Sequence, residues 1–114
     1  MKLAPALQHV VAVLQGAGLT ADTDTDKLQP PCVWVAVDKL RQETLDGGGA
    51  LDLSVYLIAR ATGYADEIHQ LQELLDKALT VISPDGDIEL DQGVQTSAGI
   101  LPAFKIPLTV EVGK

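Results

Sequence analysis

The chain has 114 residues, 46% of them hydrophobic, which suits a single domain (residues 1–114) closed around one core. With 16 acidic against 8 basic residues the formal net charge is −8, and Lys39 and Arg41 are the nearest approach to a basic cluster, which excludes a specific grip on nucleic acid through its phosphates. The lone cysteine, Cys32, excludes an internal disulfide and any cysteine-based metal cluster.

Leu3, Leu7, Val10, Val11 and Leu14 recur at helical spacing and predict a helix over Leu3–Gln15, with Pro5 in its first turn and Gly16 and Gly18 ending it. Met1-Lys2 leads into this patterned helix rather than into a secretory apolar run, so no signal peptide is read, and a cytoplasmic protein fits. No apolar run approaches the ~18 residues that a transmembrane helix needs. Thr20–Gln29 reads as a solvated loop. Asp22, Asp24 and Asp26 resemble the start of a calcium loop, but Lys27 stands where the turn glycine belongs and Val33 where the closing glutamate belongs.

Pro30-Pro31 stiffens the approach to a first strand, Cys32 to Val37, with Val33, Val35 and Val37 on one face. The second arm of a hairpin, Leu51 to Arg60, places Leu51, Leu53, Val55, Leu57 and Ala59 on one face, and Asp52, Ser54, Tyr56 and Arg60 on the other. The connection ends in Gly47-Gly48-Gly49, where glycine accepts positive φ freely. A second helix is predicted from Ala65 to Ile82, with Ile68, Leu71, Leu74, Leu75, Ala78, Leu79 and Ile82 in its stripe. His69 and Glu73 share one helical face, which reads as a surface contact because no third ligand joins them. After the turn Ser83-Pro84-Asp85-Gly86, Ile88 and Leu90 alternate with acids as a short strand. Gly93–Leu101 reads as a bend or loop. A last strand runs from Ala103 to Val112, where Pro107 argues for an edge or a bulge.

The resulting fold class is α+β, in the order αββαββ, with two helices on one face of a mostly antiparallel sheet of about four strands. Neither phosphate-loop fingerprint occurs, Ser54 and Ser83 lack a nucleophile-elbow context, and the histidines, cysteine and carboxylates assemble no triad or metal site by spacing. The reading is therefore a non-enzyme with no cofactor, no catalytic residue and no metal.

The opening helix, the run Gln29-Pro30-Pro31-Cys32-Val33-Trp34-Val35, the strand Leu53–Ala59, the helix Ala65–Ile82 and the terminal Leu101-Pro102-Ala103-Phe104-Lys105-Ile106-Pro107-Leu108-Thr109-Val110 occur in an order that resembles the tail terminator and tail-completion proteins of long-tailed bacteriophages. The resemblance covers nearly the whole chain. It implies a structural virion protein at the tail–head junction, assembled in the host cytoplasm. Such a protein forms a homo-oligomeric ring, usually a hexamer, that caps the tail tube and joins it to the head connector, with no membrane involved. The alternatives are another phage neck or tail-completion ring protein, and a cellular α+β ligand-binding or regulatory module. On the ring reading, Trp34, Tyr56 and Ile58, out of phase with the core face, are the expected subunit interface. DNA would pass through the lumen, and acidic groups facing it would keep it sliding. The candidates are Asp22, Asp24 and Asp26, then Glu43 and Asp46, then Asp85, Asp87, Glu89 and Asp91.

Overall fold

The structure, a computed structural model, describes residues 3–24, 29–42, 48–96 and 99–112. Helix α1 spans Leu3–Gly16 and buries Val10, Val11 and Leu14 along one stripe. Its end is a Schellman motif. The Leu19 N–H donates to the Leu14 carbonyl and the Gly18 N–H to the Gln15 carbonyl, with Gly18 in the left-handed region at φ 89°. That cap turns the chain straight into a two-residue strand, β1 (Ala21–Asp22), where the Gln15 side chain donates to the Ala21 carbonyl at 3.1 Å.

Strands β2 (Cys32–Gln42) and β3 (Gly49–Ile58) form the long hairpin, with Val35 opposite Val55 and Val37 opposite Leu53. A bulge at Asp38 shifts the register, so that Lys39 faces Asp52. The Pro30–Pro31 peptide bond ahead of the hairpin is cis. Helix α2 (Tyr64–Ala78) follows, with Asp66 and Glu67 in the first turn and Lys77 in the last, each favourable against the helix dipole. Strands β4 (Glu89–Thr96) and β5 (Gly99–Val112) complete the sheet, whose spatial order is β1-β2-β3-β5-β4.

This corrects the expected fold class. Among the described residues the element order is αβββαββ, and the sheet has five strands and is mixed, because β1 pairs with β2 in parallel. Two stretches read as loops are strands. Ala21–Asp22 has no alternation to betray it; it is a strand because the α1 cap delivers it beside Val33, whose N–H donates to the Thr20 carbonyl at 2.7 Å. Within the weakly patterned Gly93–Leu101, the described residues 93–96 and 99–101 lie in the facing arms of the β4–β5 hairpin.

Both helices pack on one face of the sheet. Leu14, Val33, Val55, Leu57, Leu71 and Ile106 share a single buried cluster there. Within α2 the buried positions are Leu71, Leu74 and Ala78, whereas Leu75 is only partly buried and Leu79 is exposed beyond the helix end. Val37 is exposed too, next to the bulge at the sheet edge, so neither it nor Leu79 joins the core as expected. The opposite face carries a smaller cluster of Cys32, Ile58, Val94, Leu101 and Ala103, with no helical residue in it. At about 3.3 Å per residue, β5 alone spans most of the 49 Å long axis.

Pro107 shows how position in a strand matters more than position in the sheet. Although β5 lies between β3 and β4, β4 ends where Glu89 meets Lys105, so Pro107 has no β4 residue beside it. Its missing N–H points to that vacant edge, and its carbonyl accepts from the Asp85 N–H at 3.0 Å. The Asp85 carboxylate then accepts from the Thr109 N–H, so one residue clamps two edge positions that a fourth long strand would otherwise satisfy.

Candidate functional site

The helix-free face carries the three residues singled out from the sequence as a subunit interface. Trp34 on β2 and Tyr56 on β3 are directly paired in register, and their rings stack with centroids 5.0 Å apart and planes at 21°. Both stay partly exposed while packing against the smaller cluster. The indole N–H of Trp34 donates to the Thr23 carbonyl at 3.1 Å, which ties the end of β1 to this face. Ile58 differs from expectation: it is wholly buried in the cluster, where Cys32 and Ala103 flank it across the sheet, and it presents no surface of its own. Burial also pushes the Cys32 thiol up to about 11, so the thiolate that would make it reactive is disfavoured.

Further along the same face a polar network crosses three strands. Asp52 accepts from Arg41 Nη2 at 3.1 Å and from Thr109 Oγ1 at 3.2 Å, and Lys39 Nζ lies 3.8 Å away. Partial burial works to raise the Asp52 carboxyl, but these hydrogen bonds and the two cations outweigh it and hold the group below its ordinary range. Beside it, Ser54 is fully buried and donates its hydroxyl to the Asp38 carboxylate on the bulge. Sequence alternation placed Ser54 on the outward face, as observed, but carried no sign that the bulge residue would close over it.

The acidic candidates scatter. Asp22 closes its own loop, its Oδ1 accepting from the N–H groups of Thr23 at 2.6 Å and Asp24 at 3.3 Å. Asp85 is the edge clamp, and Glu89 pairs with Lys105 at 3.7 Å. Asp24 and Asp87 are exposed. Asp26, Glu43, Asp46 and the side chain of Asp91 lie outside the described residues. His69 and Glu73 make the surface contact read from their spacing, at 3.3 Å. Among the described residues no group of three or more His, Cys, Asp or Glu side chains is arranged to hold a metal ion.

A second feature lies on the helical face. A cleft of about 330 Å³ opens between the flank of α2 and the β4–β5 hairpin, lined by Tyr64, Glu67, Ile68, Leu90 and Phe104 among others. It exists because α2 covers β3 and β5 but stops short of β4, which leaves Tyr64, Ile68 and Leu90 exposed. Among the described residues no helix is long and apolar enough to cross a membrane. No protein-family model matches the chain, and no curated protein matches it at a significant level.

Proposed function

We propose that the chain is a structural virion protein of a long-tailed bacteriophage, a tail terminator that assembles as a ring, caps the tail tube and joins it to the head connector. The observation that supports this reading is the helix-free sheet face with its stacked, partly exposed Trp34 and Tyr56. Aromatic side chains left partly bare on a broad face are the usual core of a protein–protein contact. The order of elements that resembles the terminator proteins supports it as well. Self-association into a ring, partners in a tube and a connector, and passage of DNA through a lumen form one reading, and none of them needs a reaction centre.

Electron microscopy of the purified protein, alone and with tail tubes, tests it. Closed rings that bind one end of a tube are the expected result. A protein that stays monomeric by light scattering at high concentration and leaves tubes undecorated would refute it. The cleft between α2 and β4 favours a second reading, a small ligand-binding module, since ~300–1,000 Å³ is the range of small-molecule sites. Ring formation with no change on Tyr64→Ala favours the first.

A further inference from the structure

The helical layer ends before the sheet does. Helix α2 packs on β3 and β5, and the cleft of about 330 Å³ opens between its flank and β4. The walls are apolar. Leu71 and Phe104, both buried, close the bottom, while Tyr64, Ile68 and Leu90, all exposed, stand around the mouth. Tyr64 and Ile68 are four residues apart and share one side of α2. Apolar surface also leads out of the cleft. Pro102 lines it, and Ile100, two residues earlier on the same face of β5, is 71% exposed. Ile100 lies over Gly93 so closely that a Cβ there would come within 2.8 Å of its Cγ2.

Charge in this space has one sign. Among the described lining residues the only charged side chain is that of Glu67. Glu67 stands one turn ahead of Leu71 on the sheet-facing stripe of α2, a position where an apolar residue would extend the core. It is partly buried, and its Oε2 accepts from the Gly63 N–H at 2.8 Å. A carboxylate has more acceptor sites than that one donor fills. The start of α2 would favour an anion through its dipole, equivalent to about half a positive charge, but Asp66 and Glu67 bring two full negative charges to the same turn. Lys105 follows Phe104 in sequence yet stands opposite Tyr56 on the helix-free face, where Glu89 pairs with it. The cleft therefore repels anions. A metal ion needs several oxygen ligands, and one carboxylate with apolar neighbours does not supply them.

From this we infer that the cleft binds a small organic cation, a primary amine with an aromatic or aliphatic tail. Such an amine, with a pKa of about 10.4, is charged at neutral pH and donates to the Glu67 carboxylate. Its tail takes the apolar walls, where Tyr64 and Phe104 suit an aromatic ring, and a longer tail follows Pro102 toward Ile100. This ligand class rests on the ligand-binding reading of the cleft and not on the ring, since Trp34 and Tyr56 lie on the opposite face of the sheet.

Phenylbutylamine, phenylbutanol and phenylbutyrate share one skeleton and differ in charge. Each is titrated into the full chain while the backbone amide signals are followed by NMR. The amine should shift the signals of Ile68, Leu90 and Phe104 saturably and bind about five- to tenfold more tightly than the alcohol, with the acid weakest. Glu67→Gln keeps a carbonyl oxygen for the Gly63 N–H, and it should lower the amine to the affinity of the alcohol while leaving the alcohol unchanged. Leu90→Ser, at an exposed site, should weaken the amine and the alcohol alike. Dispersed spectra show that the variants fold, and the comparison of the three probes on the parent chain decides without them. Absence of a saturable shift with every probe overturns the cation site and the ligand-binding reading together. An alcohol or acid that binds as tightly as the amine, or a Glu67→Gln chain that still prefers the amine, overturns the cation site and leaves the cleft a ligand site of another class. Cleft signals that move with protein concentration alone give the space to a second copy and overturn the cation site as well.

Discussion

Asp66 illustrates how much a surface carboxylate can do without a counter-ion. The Thr62 hydroxyl and the Gln70 side-chain amide both donate to it, and together they hold its pKa below the ordinary aspartate value, with slight burial opposing and His69 adding a small further lowering. Gln70 in turn accepts from the Arg60 N–H at 3.0 Å, so the end of β3 is fastened to α2. Because the folded pKa is the lower one, this contribution to stability is complete above the ordinary aspartate pKa and is lost as pH falls through the folded value. Thr62→Val should raise the Asp66 pKa toward the ordinary value in an NMR titration, and an unchanged titration would remove the hydroxyl as the cause. Cys32 gives a second test at this scale. With a buried thiol near 11, a thiol reagent at pH 8 should label the native protein only at the rate of its opening, and quickly once denaturant unfolds it. Fast labelling of the native state would show that the smaller cluster is not closed.

The second helix is held to the sheet by Leu71, Leu74 and Ala78 rather than by the full apolar stripe of its sequence. Leu71→Ala should cost about 2–5 kcal/mol in a denaturant titration, through lost burial and the cavity left behind. Leu79→Ala, at an exposed site past the helix end, should stay within about 0.5 kcal/mol. Equal losses would mean that α2 packs in a different rotation. The Asp85 clamp works on the loop between α2 and β4 in the same way: Asp85→Ala removes one hydrogen bond to an exposed edge, and a loss of about 0.5–1.5 kcal/mol is expected.

On the proposed reading, assembly belongs to the whole molecule. Tyr56→Asp should leave the monomer folded and abolish rings in electron micrographs; normal assembly at low concentration would take that face out of the interface. The acidic balance has its own test. Asp24 and Asp87, both exposed, are the described lumen candidates to change first. At physiological salt the Debye length is about 8 Å, so only groups at the channel wall can act on passing DNA. Lysine at a lumen position should slow ejection from assembled particles, most at low salt, and ejection at the parent rate from both variants would clear these two residues of that role.

What the sequence determined by itself was periodic and local. The spacing of Val10, Val11 and Leu14 defined α1, the alternation through Leu53–Leu57 defined the strand, and the paired glycines past Gln15 defined the cap, because each signal is carried within one element by its own burial or backbone freedom. The tertiary structure alone decided what depends on a distant partner. Ala21–Asp22 became a strand only because Val33 lies alongside, Asp85 became an edge clamp only because β4 stops at Lys105, and Ser54 was sealed only because the bulge turned Asp38 over it. The cleft belongs to the same class, for it is set by where one element ends relative to another, and a period along the chain holds no record of that.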